Sequence, residues 1–200
     1  MKGFGARQSA RAFWRKGYAA TSLKDLEREL GMHPGSIYAA FGNKAKLYCR
    51  AMDRYVEWVS KARDHAEADA YGILDGLANL IERAHPISNE EVPLPACFLV
   101  KKTLEIGADH AEIQSRLAEL LETNDRLFEA KFQAAIDSGE LTSNQTAGEL
   151  SAQLHAALAG LCFHALRTPD REFGRKMARK LANQIRNAGQ GDRLYEGVFG

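Results

Sequence analysis

Between Thr21 and Lys46 the chain gathers hydroxyl, imidazole, phenol and amine groups of the kind that grip a polyanion. Thr21, Ser22 and Lys24 come first, then His33-Pro34-Gly35-Ser36, then Tyr38, and last Lys44 and Lys46. His33 and Ser36 can hydrogen-bond to phosphates or base edges, and the Tyr38 hydroxyl can reach a phosphate. Thr21, Ser22 and the amides of the helix they open can hold phosphate, because a helix start presents unpaired N–H groups and a positive dipole end. Lys24, Lys44 and Lys46 add cations for the same backbone. Small residues such as Gly35 and Ser36 let a backbone come close to its ligand. Each residue also has a plainer reading. Thr21 or Ser22 is a helix cap in any case, His33 suits a cap, and Lys24 suits solvated surface.

The elements that position these groups are helices. Ala6, Ala10, Phe13 and Trp14 recur at helical spacing over about residues 4–17, with Gly17 near the end. Ser22 and Asp25 form a short-armed capping box ahead of Leu23, Leu26 and Leu30, and Gly31 stops that helix. Pro34 fits the first position of a third helix, whose inner face carries Ile37 and Phe41 and which Gly42 ends. Asn43 caps a fourth helix running to about residue 66, with Leu47, Ala51, Tyr55 and Val59 as its buried stripe. Two short helices around a tight turn make a helix-turn-helix, and the second such helix enters the major groove with its N-terminal residues near base edges. A fifth helix carries Ile73, Leu77, Leu80 and Ile81, and a proline-rich break follows from His85 to Pro95. Further helices are expected at about residues 95–106, 110–137, 143–167 and 170–188. The fold class is therefore all-α with about nine helices.

Charge is distributed to match. The net formal charge of the 200 residues is +1, but residues 1–60 carry 11 Lys and Arg against 5 Asp and Glu, and the rest is net acidic. A basic head suits a polyanion and an acidic body does not. Cys49, Cys97 and Cys162 are too few and too scattered for a disulfide framework or a four-cysteine zinc site. No run of 18 apolar residues reads as a membrane span, and the first residues lack the apolar core of a signal peptide, so a cytoplasmic location is expected. The six histidines have no metal-ligand spacing, and no phosphate loop or nucleophile elbow is present. Neither an enzyme, nor a metal, nor a cofactor is expected.

Two stretches resemble the opening of TetR-family transcriptional regulators: Phe13-Trp14-Arg15-Lys16-Gly17-Tyr18-Ala19-Ala20-Thr21-Ser22-Leu23-Lys24-Asp25-Leu26, and Leu30-Gly31-Met32-His33-Pro34-Gly35-Ser36-Ile37-Tyr38-Ala39-Ala40-Phe41-Gly42-Asn43-Lys44-Ala45-Lys46-Leu47. The resemblance implies a three-helix DNA-binding head over residues 1–48 and a helical effector-binding and dimerisation domain over residues 49–200. It implies a homodimer that represses nearby genes from a pseudo-palindromic DNA operator and lets go when a small molecule binds. By position, Thr21 and Tyr38 match backbone contacts, His33 to Ser36 the groove-facing stretch, and Lys44 a phosphate-gripping lysine. The departure is a short basic arm, with only Lys2 and Arg7 ahead of Gln8. Around Cys97 the chain is similar to a subgroup with a Gly-Cys-Leu-Leu-like helix start, with Ala96 in place of the glycine. That keeps a cysteine-based redox or electrophile sensor open as an alternative. A helical interaction module that does not bind DNA is the remaining one.

In the body, Cys97, Phe98, Phe128, Phe132, His155, Cys162 and Phe163 form a candidate effector pocket, mostly apolar with His155 as its polar anchor, and plain core is the competing reading. For the dimer, Leu154, Leu158 and Leu161 on one helix and Met177, Leu181 and Ile185 on the last form the candidate stripes. Ala157 and Gly160 lie beside the first stripe and permit close helix contact.

Overall fold

The computed structural model describes residues 12–13, 16–84, 106–107, 109–167 and 171–188. All regular structure among the described residues is helical. Residues 12–13 and 16–20 are helical and are together called α1. They are followed by α2 (Leu23–Leu30), α3 (Pro34–Phe41), α4 (Lys44–Ala68), α5 (Ile73–Ala84), α6 (Ala111–Asp137), α7 (Ala147–Arg167) and α8 (Arg171–Asn187). The helix expected at about 95–106, together with Cys97 and Phe98, lies outside the described residues apart from Ile106. No helix among the described residues is long and apolar enough to cross a membrane.

Packing divides the chain into two compact units, and not simply in chain order. One draws on residues 1–60 and 88–121, the other on residues 61–87 and 122–200. In the first unit Phe13, Leu26, Ile37, Phe41, Leu47, Tyr48, Met52 and Tyr55 form one core with Ile113 and Leu117 of α6. The buried positions on α3 and α4 fall at helical spacing on single faces, and on α2 half-buried Leu23 and Leu30 flank buried Leu26, which fixes what each helix turns outward.

Local chemistry starts and stops these helices. Ser22 caps α2: its hydroxyl accepts from the Asp25 amide at 3.1 Å, and the Asp25 carboxylate accepts from the Ser22 amide at 3.0 Å. Gly31 ends α2 at φ +61°, a left-handed conformation that costs an L side chain about 1–2 kcal/mol. Pro34 opens α3 where no N–H is needed. Asn43 accepts from the Lys46 amide at 2.7 Å and starts α4. Thr146 and Glu149 build a second capping box at α7, with bonds of 3.2 and 2.7 Å.

In the second unit α8 lies along α5, fastened by Arg186. Its guanidinium donates to Asp75 at 2.8 Å, to Glu82 at 2.6 Å and to Asn79 at 2.8 Å. The start of α5 is capped from far along the chain: the Glu140 carboxylate accepts from the amides of Ile73 and Leu74 at 2.9 and 2.8 Å. A Cβ at Gly72 would stand 2.6 Å from that carboxylate, so a side chain there would push the carboxylate from its place at the two amides.

The leucine stripe expected at a dimer contact is a correction. Leu154 and Ile185 are fully buried within this one chain, and Leu158 and Leu181 nearly so, because they pack into the core of their own unit. Leu161 is half-buried, and Met177 is the one exposed member of the set. The open face of α7 lies on its far side and carries Ala152, Ala156, Gly160 and Phe163. A Cβ at Gly160 would meet nothing within 4 Å.

Candidate nucleic-acid interface

With Ile37 and Phe41 buried, α3 turns Gly35, Ser36 and Tyr38 outward, and Tyr38 is 46% exposed. Pro34 is half-buried beside them, and His33 ahead of it is exposed. His33 occupies the N-cap position, but its side chain makes no capping bond. The first-turn amides of α3 therefore gain no acceptor from it, which suits them to meet an incoming anion. At the start of α2, Ser22 and Lys24 are exposed too.

α2 and the turn after it enclose an open dish of about 400 Å³, lined by Lys24, Glu27, Arg28, Gly31, Met32 and His33. Arg28 was not singled out by sequence pattern. It lies one turn beyond Lys24 on the same face, and its guanidinium donates to Asp25 at 3.1 Å. Asp25 also takes a 2.7 Å bond from Lys16. The Lys16 bond first, and then the Ser22 bonds, hold the Asp25 carboxyl well below the usual carboxylate range.

Thr21 is a second correction. It has no exposed surface, and its hydroxyl donates to the Gly17 carbonyl at 2.6 Å, with the Ala12 carbonyl a further acceptor at 3.4 Å. It braces the α1–α2 corner and presents nothing to a phosphate. Ser22 takes the exposed capping role alone.

The two lysines of α4 differ. Lys46 is exposed, whereas Lys44 is half-buried with its Nζ 4.5 Å from the centre of the Tyr18 ring. Burial holds the Lys44 pKa below its ordinary value. Burial, with Cys49 and Glu112 adding to it, pushes the Tyr18 phenol up. Tyr18 belongs to the TetR-like stretch that begins at Phe13, but spacing alone gave no reason to pair it with Lys44.

In the second unit the effector-pocket set divides. Phe128 and Phe132 are buried and His155 is half-buried, its ring 4.9 Å from that of Phe128. His155 Nδ1 lies 2.9 Å from the Asp125 carboxylate, and Nε2 lies 2.7 Å from the Asn124 amide nitrogen. Nδ1–H thus donates to Asp125, and Nε2 accepts from Asn124. The Ser151 hydroxyl adds a bond to the Asp125 carbonyl at 3.3 Å, so α6 and α7 are tied at one place. Phe163 differs from the rest of the set: it is 62% exposed. The side chain of Cys162 lies outside the described residues. Cys49 is half-buried, and burial together with Glu112 and Asp53 pushes its thiol up to about 11, far from the thiolate a redox sensor needs. No group of three His, Cys, Asp or Glu residues suited to a metal ion occurs among the described residues.

Known proteins align with both parts of the chain. Residues 7–51 match the family model of bacterial regulatory proteins of the tetR family. Residues 74–184, more than half the chain, match that of the tetracyclin repressor-like C-terminal domain. The HTH-type transcriptional repressor ComR of Escherichia coli (strain K12) is 23% identical over 160 residues, covering 79% of this chain and 76% of ComR. The HTH-type transcriptional repressor BdcR of the same organism is 46% identical over 44 residues, 22% of each chain. Among solved structures, a TetR-family regulator from Cytophaga hutchinsonii superposes with a TM-score of 0.81 at 20% identity, covering 94% of both chains. The TetR-family regulator CifR, a cysteine mutant, superposes at 0.77 with 24% identity, covering 92% of this chain and 95% of that one. The chain belongs to the TetR family of bacterial regulatory proteins, and it is a DNA-binding transcriptional regulator rather than an enzyme.

Proposed function

We propose that the chain is a homodimeric repressor that holds a pseudo-palindromic operator and releases it when a small molecule binds. Residues 1–48 would carry the DNA contacts and residues 49–200 the effector and dimer functions. The observation that carries the reading is the outward face of α3. Its large apolar residues, Ile37 and Phe41, are spent on the core, and His33, Gly35, Ser36 and Tyr38 are left for the groove. Ser22, Lys24, Lys44 and Lys46 would hold the flanking backbone, and Pro34 would set the approach of α3. CifR, a structural relative, was solved with a 26bp double-strand operator DNA, which fits a duplex partner here.

The dimer contact is assigned to the open face of α7, where Ala152, Ala156 and Gly160 permit close helix approach and Phe163 offers a large apolar anchor. Phe173 and Met177, exposed on α8, extend that surface. A pseudo-palindromic operator would call for two α3 helices about one DNA turn apart, roughly 34–36 Å, one from each copy. Effector sensing is assigned to the α6–α7 tie at His155, with Phe128 and Phe132 as its apolar wall.

The test is duplex binding as a function of salt, using DNA that flanks the gene itself. Binding should weaken steeply between about 50 and 200 mM salt. Ser36→Ala and Tyr38→Phe should each weaken it several-fold while the circular dichroism spectrum stays unchanged. No preference for duplex DNA at the lower salt would sink the reading.

A further inference from the structure

We propose that Tyr18 is a positioning residue for DNA binding: its ring holds the Lys44 ammonium in place for a phosphate. The inference rests on the DNA-binding reading of Lys44 above, and it adds a residue whose effect is exerted entirely through another.

A lysine ammonium ends a flexible four-carbon stem, so an unrestrained one loses much rotamer freedom when it grips a phosphate. Lys44 is restrained already. Its Nζ stands 4.5 Å from the Tyr18 ring centre, where the negative face of the π-system attracts a cation. The stem is half-buried, unlike that of exposed Lys46 two residues on.

The ring is itself fixed from several elements of the same unit. Phe13 of α1 stacks on it at 6.4 Å, Tyr48 of α4 meets it edge-on at 5.1 Å, and His110, just ahead of α6, does so at 4.7 Å. A ring held by three neighbours is a rigid shelf. Its one polar duty toward DNA is to offer a face to a cation that a phosphate can share. The phenol oxygen has no part in this, so phenylalanine should serve as well as tyrosine.

The experiment measures duplex binding of the full-length protein against salt, with a labelled duplex of about three helical turns. Removing a cation that neutralises one phosphate should flatten the log–log slope by about 0.9. Lys44→Gln should show that flattening in each head. Tyr18→Leu should match it, Tyr18→Phe should keep the wild-type slope, and the double variant Tyr18→Leu/Lys44→Gln should be no flatter than Lys44→Gln alone. Pentafluorophenylalanine at position 18 keeps the ring's shape and reverses the charge of its face. It should behave like the leucine variant, which keeps the question answerable even if Tyr18→Leu does not fold. If Lys44→Gln flattens the slope and the fluorinated ring does not, Tyr18 has no positioning role. A double variant with a still flatter slope would likewise overturn it. If Lys44→Gln itself leaves the slope unchanged, the phosphate role of Lys44 falls, and the role of Tyr18 falls with it.

Discussion

α3 and α7 each bury one face and leave the other open, but the open faces differ in kind. α3 turns out a glycine, a serine hydroxyl and a phenol, with Ala39 beside them. α7 turns out two alanines, a glycine and a phenylalanine. Polar groups at hydrogen-bonding reach suit a hydrated, charged duplex, whose contacts are largely to phosphate and sugar. Small apolar groups suit a second helix packed at short range. The buried faces, by contrast, are chemically alike: Ile37 and Phe41 on one, Leu150, Leu154 and Leu158 on the other. Partner type is therefore written in what each helix leaves outside its own core.

The largest expected effect separates the two faces of α7. Leu154→Ala opens a cavity and should cost about 2–5 kcal/mol, read as a lower denaturant midpoint. Ala156→Arg, two residues on, should leave the midpoint of the diluted monomer within about 0.5 kcal/mol and convert a sedimenting dimer to monomer. Comparable drops in stability in both variants would erase the distinction between the faces.

A smaller effect tests the head. Thr21→Val keeps the shape and removes the hydroxyl that binds the Gly17 carbonyl. It should cost about 1–2 kcal/mol of stability and leave the salt slope of duplex binding untouched. A flattened slope would return Thr21 to the DNA contacts.

The smallest effect is a pH dependence in the second unit. Burial lowers the His155 pKa, against an opposite pull from Asp125. The unfolded chain then takes up the proton at a higher pH than the folded one. This share of stability is fully present above about pH 6.5 and falls as pH drops toward the folded value. His155→Gln should flatten the fall in thermal midpoint below that pH, and an equally steep fall in the variant would place the sensitivity elsewhere.

The helix-turn-helix was legible because its signals are local. Ser22 and Asp25 are three residues apart, and Gly31, Pro34, Gly42 and Asn43 each act on their immediate neighbours. Thr21 misled because a hydroxyl that braces a corner has the same chemistry as one that meets a phosphate; only burial tells them apart. The α7 leucines misled differently. Periodicity shows that they share a face, but not whether the same chain or another copy covers it. The shelf beneath Lys44 lies 26 residues earlier in the chain, beyond any local spacing rule. The capping box of Thr146 and Glu149 is a local signal too, and it sets the start of α7 at Ala147 rather than at about residue 143.

The Glu140 bond to the start of α5 has a consequence for how this chain can diverge. Position 72 tolerates no side chain while the carboxylate stands there, and without the carboxylate the amides of Ile73 and Leu74 lose their acceptor. Neither residue is free to drift alone. In an alignment of sequences descended from a common ancestor with this one, glycine at 72 and glutamate at 140 should be inherited or lost together, a linked pair with α5 and α6 lying between them in the chain.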